Sequence, residues 1–511
     1  MSMRNRLILF FLLWVPLEVF AQLCSVRGEA KGYEGRKLAV IALQDEFSGK
    51  RMLLGQCDVN DNGFFEVQFD PQFTRRVYIH IQRVEAPLYA QPGQAYSVVF
   101  PPSSQAEYKR FDNTEVSLQF TDLPESDINW VIRKFNADYA SFISNHFYDF
   151  ATDEYRGAPE YMKYLGSKKE GVDMYSKTTD ADSLSKNLDK GFSRWVAHFE
   201  DSVSRIDDNS SDLEFTKTYK RFALAELHLL SGMNRKMFYE RYFMSVVPRE
   251  HNPAFVSCFK LYTRNIVVGQ KAPVQSAIIK AVNVDRSLSR LAEALSNESG
   301  LLSDRLKQLA ALNGLKEQYN NKSFDHASID ILLAKTHSGD SLVDSVAQAI
   351  LFQVTRCRAG WPLQDFVFTD ETQEKWSLSN ADGLPLYLLF FASWSPSSLK
   401  EMLVLERWQE KFRGRIQFVA VCMDDDYRNY RKYLEENLKL PIKLVYGNAE
   451  PFVQEKFNLK AIPHQVLLDA KGLVVADVCP APSDPLFEAF LNRIATASVP
   501  NRQGTRTWKD R

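Results

Sequence analysis

Leu386-Tyr387-Leu388-Leu389-Phe390-Phe391-Ala392-Ser393-Trp394-Ser395-Pro396-Ser397-Ser398 decides how the C-terminal third of this chain folds. Its first half is an apolar strand. Its second half is the polar segment Trp-Ser-Pro-Ser-Ser, after which Ser398 to Arg413 takes up a helical pattern. Further strand candidates are Ile416–Val421, Gln465–Leu468 and Leu473–Val478, and a further helix candidate is Asp426–Asn437. Asp469-Ala470-Lys471-Gly472 is the turn of a terminal hairpin. Strands alternating with helices mark residues 358–495 as an α/β domain.

Upstream, the period changes twice. Residues 22–105 alternate apolar and polar in short runs, as in Lys37–Leu43, Phe64–Phe69, Val77–Ile81 and Tyr96–Phe100. Turn signals at Asp61-Asn62-Gly63 and Gln91-Pro92-Gly93-Gln94 separate them, so this part reads as a small β-sandwich. Residues 106–357 then carry a helical period. Leu184, Leu188, Phe192, Trp195, Phe199, Val203 and Ile206 form one apolar stripe, and Ile128, Val131, Phe135, Tyr139 and Phe142 form another. These aromatic stripes read as core rather than as a cofactor box, and no cofactor is expected.

At 511 residues the chain is too long for one core. Hydrophobic content of 45% with 25% charged residues is that of a globular protein. Lys+Arg total 63 against 64 Asp+Glu, so no basic surplus points to nucleic acid. Arg4 and Arg6, the apolar run Leu7–Val15 and Val19-Phe20-Ala21 read as a cleaved signal peptide at 1–21. Its apolar run is about half of the roughly 20 residues that a spanning helix needs. The mature protein is therefore expected to be exported, periplasmic or otherwise in the cell envelope, with no membrane span. The polar end, 496–511, reads as a disordered tail.

The six cysteines are Cys24, Cys57, Cys258, Cys357, Cys422 and Cys479. They lack metal-ligand spacing, so no metal site is expected. Cys24 and Cys57 are the only thiols of the β-domain, and a disulfide between them is one expectation. Asp424-Asp425-Asp426 could hold a cation, but more simply caps the helix that follows through Asp425 or Asp426.

The C-terminal domain resembles the TlpA/ResA-like thioredoxin-fold proteins of bacterial envelopes, which are related to the AhpC/TSA group. The resemblance runs from Gly360-Trp361-Pro362-Leu363-Gln364-Asp365-Phe366 through the apolar strand. It continues with Trp394 to Glu401, Val419-Ala420-Val421-Cys422-Met423-Asp424, Ala461-Ile462-Pro463-His464 and Leu467-Leu468-Asp469-Ala470-Lys471-Gly472. By this resemblance Ser395 stands at the attacking cysteine and Ser398 at the resolving one. Glu401 matches the acid that tunes thiol proton transfer, and Pro463 the cis-proline facing the redox pair.

The departure at both cysteines decides the chemistry. A Cys-x-x-Cys thiol at a helix start can have its pKa lowered to about 3.5–7.5, which makes it a nucleophile. A serine hydroxyl is far harder to ionise and forms no disulfide. The resemblance thus implies a redox-inactive scaffold that grips a protein or extended peptide between Trp394 and Ile462-Pro463-His464. With no thiol to tune, Glu401 is expected to serve the first turns of its helix. One rival is a thiol-disulfide oxidoreductase of cell redox homeostasis working through Cys422. A remoter one is a serine hydrolase using Ser395 with His464 and an acid, although no Gly-x-Ser-x-Gly elbow is present.

Overall fold

The computed structural model describes residues 22–102, 114–152, 190–205, 209–295, 303–363, 366–381, 383–436, 441–476 and 478–497. The signal-peptide expectation at 1–21 lies outside these residues. So do Leu184, Leu188 and Ile206 of one helical stripe, and the tail from 498 onward.

The N-terminal strands are β1 (Cys24–Glu29), β2 (Lys37–Leu43), β3 (Arg51–Asp58), β4 (Phe64–Phe69), β5 (Arg75–Ile81), β6 (Val84–Ala90), β7 (Ala95–Val99), β8 (Thr114–Glu115) and β9 (Gln119–Phe120). They form two sheets, ordered β4-β1-β7-β9 and β3-β2-β5-β6-β8. The inward half of each alternation builds one shared core, with Val26, Val67 and Val98 from the first sheet against Val40, Ile79 and Leu88 from the second. The expected boundary at 105 falls short. β8 pairs with β6, β9 pairs with β7, and Leu118 between them is buried in this core. Two-residue strands carry no readable alternation, which is why the sequence hides them.

The expected Cys24–Cys57 disulfide is not formed. Cys24 sits opposite Phe69 of β4, whereas the Cys57 sulfur lies against the main chain of Glu66. Three residues along a strand span roughly 10 Å, beyond the roughly 7 Å that a disulfide tolerates. Burial instead pushes the two thiols up, to about 12 for Cys24 and about 11 for Cys57.

The middle region is helical: α1 (Ile128–Thr152), α2 (Lys190–Ser204), α3 (Leu213–Leu230), α4 (Arg235–Tyr242), α5 (Pro253–Tyr262), α6 (Ala272–Lys280), α7 (Leu288–Leu295), α8 (Asp304–Glu317), α9 (His326–Ala334) and α10 (Ser341–Val354). Asp212, Asn234, Asn252, Asp325 and Asp340 cap five of these starts with side-chain oxygens. Phe135, Phe142, Phe192, Val196 and Leu227 share one small core. Trp195 departs from its expected stripe: it is exposed and stacks on His146, while its neighbour Val196 faces inward.

The β-domain is plugged into this region by the β2–β3 loop. Phe47 at its tip is buried in the helical core, edge-on to Phe255 and Phe259 of α5. Lys260 donates to the Glu46 carbonyl at 2.8 Å, and Lys316 of α8 donates to the Ser48 carbonyl.

The C-terminal domain contains β10 (Phe368–Asp370), β11 (Lys375–Trp376), β12 (Leu386–Phe391), α11 (Pro396–Lys411), β13 (Gln417–Cys422), α12 (Tyr427–Glu436), β14 (Lys443–Tyr446), α13 (Val453–Lys456), β15 (His464–Leu468) and α14 (Phe487–Ala497). The sheet order is β11-β10-β14-β13-β12-β15. β12 and β13 run parallel, as do β13 and β14, while β15 is antiparallel to β12. Every residue of β12 is buried, because alternate side chains enter cores on opposite faces: Tyr387, Leu389 and Phe391 on one, Leu386, Leu388 and Phe390 on the other.

Three expectations are corrected here. Strands β10, β11 and β14 were not anticipated. Among the described residues of Leu473–Val478 no strand forms. Leu473 and Val474 make isolated bridges to Pro362 and Leu468, and Val478 is exposed. The last helix also runs to Ala497, past the expected end of order at 495.

Candidate functional site

The parallel strands β12 and β13 end at the same edge, and β15 begins there. This edge collects the residues singled out by the sequence. Ser395 is the N-cap of α11, and Pro396 takes the first helical position, where a missing N–H costs nothing. The Ser395 hydroxyl accepts from the Ser398 main-chain N–H at 3.4 Å and from the Ser398 hydroxyl at 3.0 Å, with the Ser397 hydroxyl 3.1 Å away. Ser395 and Ser398 are both buried, whereas Trp394 beside them is 66% exposed.

Ile462, Pro463 and His464 are half-buried, and the Ile462–Pro463 peptide is cis. Among the described residues, the main chain of Ala461 and Ile462 makes no backbone hydrogen bond. Among the described residues no other main-chain group takes up their N–H and C=O groups.

His464 does not join Ser395. Its ring lies against the main chain of Phe457 and 6.1 Å from the Phe390 ring, and burial lowers its pKa. No Ser395–His464 hydrogen bond exists among the described residues, so the hydrolase constellation is not assembled.

Glu401 is not serving the first turn of its helix. It is buried, and its carboxylate accepts from the Ser483 N–H at 2.9 Å and the Ser483 hydroxyl at 2.6 Å. It ties α11 to the segment leading into α14. No sequence signal marks Ser483 as its partner, because the pair lies 82 residues apart.

The three aspartates after β13 divide their work. Asp424 is fully buried, and its carboxylate holds the Ser393 N–H at 2.9 Å. The Asp425 carbonyl accepts from Gln82, and its carboxylate pairs with Arg83 at 3.1 Å, joining the β-domain to this edge. Asp426 accepts from the Arg428 N–H at 2.8 Å as the cap of α12. Among the described residues no group of three or more His, Cys, Asp or Glu could hold a metal ion.

Cys422 ends β13 fully buried. Its thiol is pushed well above the ordinary range by burial and by the Asp424 carboxylate. Cys479 is also buried, and its thiol is pushed up to about 12. Thiolates are the attacking form of cysteine, so neither is poised to react.

Residues 383–474 match the thioredoxin-like family. Among curated relatives, the thiol-disulfide oxidoreductase ResA of Bacillus cereus is 21% identical over 141 residues, covering 27% of this chain and 80% of the relative. The ResA of Bacillus anthracis shows the same identity and coverage. Among solved structures, the thioredoxin domain of a thiol-disulfide oxidoreductase from Bacteroides vulgatus is 20% identical with a TM-score of 0.24, covering 27% of this chain and 97% of its own. A thioredoxin-family thiol:disulfide interchange protein from Chlorobium tepidum is 19% identical with a TM-score of 0.23, covering 26% and 95%. The C-terminal domain is thus thioredoxin-like over residues 383–474 and is similar to the ResA proteins. Among the described residues no helix is long and apolar enough to cross a membrane.

Proposed function

From a C-terminal domain of the TlpA/ResA-like thioredoxin type, we propose that the protein is a redox-inactive scaffold of the cell envelope that holds an extended polypeptide. The reading rests on one observation: the two positions matching the family's reactive cysteines are hydroxyls spent on each other and on capping α11. No thiol replaces them at the edge, since Cys422 is buried with a raised pKa.

The main chain at Ala461 and Ile462, without a main-chain partner among the described residues, supports the gripping half of the proposal. An extended peptide pairs with such groups through main-chain hydrogen bonds, and side-chain pockets add selectivity. Exposed Trp394 supplies a flat apolar contact on the other side of Ser395. Export follows from the reading of residues 1–21 as a signal peptide, and the β-domain of 22–120, a β-sandwich in this reading, would present the edge to its partner.

Two measurements test this. The purified protein should not catalyse insulin reduction by dithiothreitol, and turnover that vanishes in a Cys422→Ser variant would establish the oxidoreductase reading instead. In envelope extract, the protein should capture polypeptides that a Trp394→Ala variant captures less well. Equal capture by both would remove the edge from the proposal.

A further inference from the structure

The chain leaves α10 at Val354 and enters the C-terminal domain through residues 355–363. The end of this connection is laid against residues 472–474. The Gly360 N–H donates to the Val474 carbonyl at 2.8 Å, the Val474 N–H to the Trp361 carbonyl at 2.9 Å, and the Leu363 N–H to the Gly472 carbonyl at 3.1 Å. Pro362 and Leu473 form an antiparallel bridge. In an antiparallel pair, moving back along one chain follows the other chain forward. Cys357 precedes Gly360 and Cys479 follows Val474, so both cysteines lie off the same end of this pairing.

The thiols are neighbours there. Burial is the main cause that pushes Cys479 up to about 12, and the Cys357 thiol adds to it, an effect that only nearby groups exert. The other four cysteines are placed elsewhere. Cys24 and Cys57 belong to the β-domain, Cys258 to the helical core, and Cys422 ends β13, with β12 and β15 between it and the 473–475 segment. Cys357 and Cys479 are thus the pair that the fold brings together across two regions of the chain. They are not bonded to each other in this structure.

We propose that Cys357 and Cys479 are the site of a disulfide that fastens the end of the helical region to the segment ahead of α14. Cys357 is half-buried and opens the reaction, while Cys479 is buried and closes it. The Cys357 thiolate attacks one sulfur of an incoming disulfide, RS–SR, forming a mixed disulfide and expelling RS⁻. The Cys479 thiolate then attacks the Cys357 sulfur and expels the second RS⁻. The two thiol protons pass to the two RS⁻ groups, so two cysteines are oxidised and one disulfide is reduced to two thiols. Burial does not penalise the uncharged product, and a thiol of raised pKa is a poor leaving group, so the bond resists reversal. It closes a loop of about 120 residues around the C-terminal domain, which restricts the unfolded chain. The site is separate from the edge at Ser395 and does not depend on what that edge holds.

Oxidation of the full chain in vitro tests it and supplies the oxidant, so the result does not rest on export. The reduced protein is incubated with oxidised glutathione at about pH 8.5, where thiolates form. It is then blocked with N-ethylmaleimide and digested without reductant for mass spectrometry. A linked peptide pair carrying Cys357 and Cys479 is expected, with two fewer alkylated cysteines than in the reduced chain. The oxidised protein should melt roughly 5 °C or more above the reduced one. Cys357→Ser and Cys479→Ser should each abolish both the link and the rise. Cys357 has a φ of 47°, where serine is strained as cysteine is, so the first change removes the sulfur alone and serves if Cys479→Ser does not fold. The proposal is overturned if all six cysteines stay alkylatable, if glutathione remains on Cys357, if the link joins other cysteines, or if the bond forms without raising the melting temperature.

Discussion

The Ser398 hydroxyl donates to the Ser395 hydroxyl at 3.0 Å, so the two family redox positions satisfy each other without a thiol. Ser395 in turn accepts the Ser398 N–H, one of the orphan donors at the start of α11. Ser395→Ala should therefore cost about 1 kcal/mol of stability, the usual value of an N-cap. Ser398→Ala leaves the cap in place and should cost less. Urea denaturation of both variants checks the order, and a larger loss at Ser398 would contradict the capping assignment.

Glu401 makes a second, longer tie. Replacing it with Ala removes both acceptors from Ser483 and so the tie between α11 and the segment before α14. A loss of about 1–3 kcal/mol is expected, the value of hydrogen bonds to a charged group. The same variant should open the segment before α14 to proteases. Glu401→Gln keeps one acceptor oxygen and should lose less.

The sequence carried the centre of the C-terminal domain better than its rim. β12 and β13 are continuous apolar runs, and α11 follows a Ser-Pro start, so local pattern and tertiary demand agree. β10, β11 and β14 are short, and their pairing is decided by neighbours far along the chain. The positions of Ser395, Ser398 and Pro463 could be read from the ordered motifs. The partners of Glu401, Asp424 and Asp425 could not, because Ser483, Ser393 and Arg83 meet them only through the fold. The docking of Phe47 was hidden for the same reason: a lone aromatic residue in a hairpin loop looks like any other until a core surrounds it.

Phe47→Ala should detach the β-domain from the helices. Deleting a buried aromatic ring costs about 3–5 kcal/mol. Here the ring contacts α5 of another region, so the loss falls on the docking itself. Limited proteolysis should cut between 100 and 125 faster than in the parent, while Phe64→Ala, at an exposed position, should leave the rate unchanged.

The seam around Phe47 should also respond to pH. Burial and the neighbouring Arg75 lower His251 from 6.5 to about 4, with Glu250 4.0 Å from the ring and the Phe73 ring centred 4.1 Å away at a tilt of 33°. Between those values the unfolded chain holds the proton and the folded one does not. Stability should therefore be full above about pH 6.5 and decline as pH falls toward 4, by about 1–2 kcal/mol after allowing for partial exposure. His251→Phe should flatten that decline in thermal melts. Lys316 behaves alike at the other end: burial and Lys260 lower it from 10.5 to about 8, so its contribution should make stability rise from pH 8 to 10.5. Lys316→Met should remove that rise.

Restoring sulfur at both redox positions gives the sharpest test of the site. The combined change Ser395→Cys and Ser398→Cys places one thiol at the N-cap of α11, where main-chain N–H groups stabilise a thiolate, and the second one turn along. The two hydroxyls already touch, so the two thiols would stand within reach of each other. The double variant should reduce insulin in the presence of dithiothreitol, and its first thiol should react with iodoacetamide below pH 7. Glu401 is held by Ser483 and is not free to relay protons, so turnover should rise further in Ser483→Ala, which frees one carboxylate oxygen. A folded double variant with two unreactive thiols would show that the edge differs from its relatives in more than two atoms.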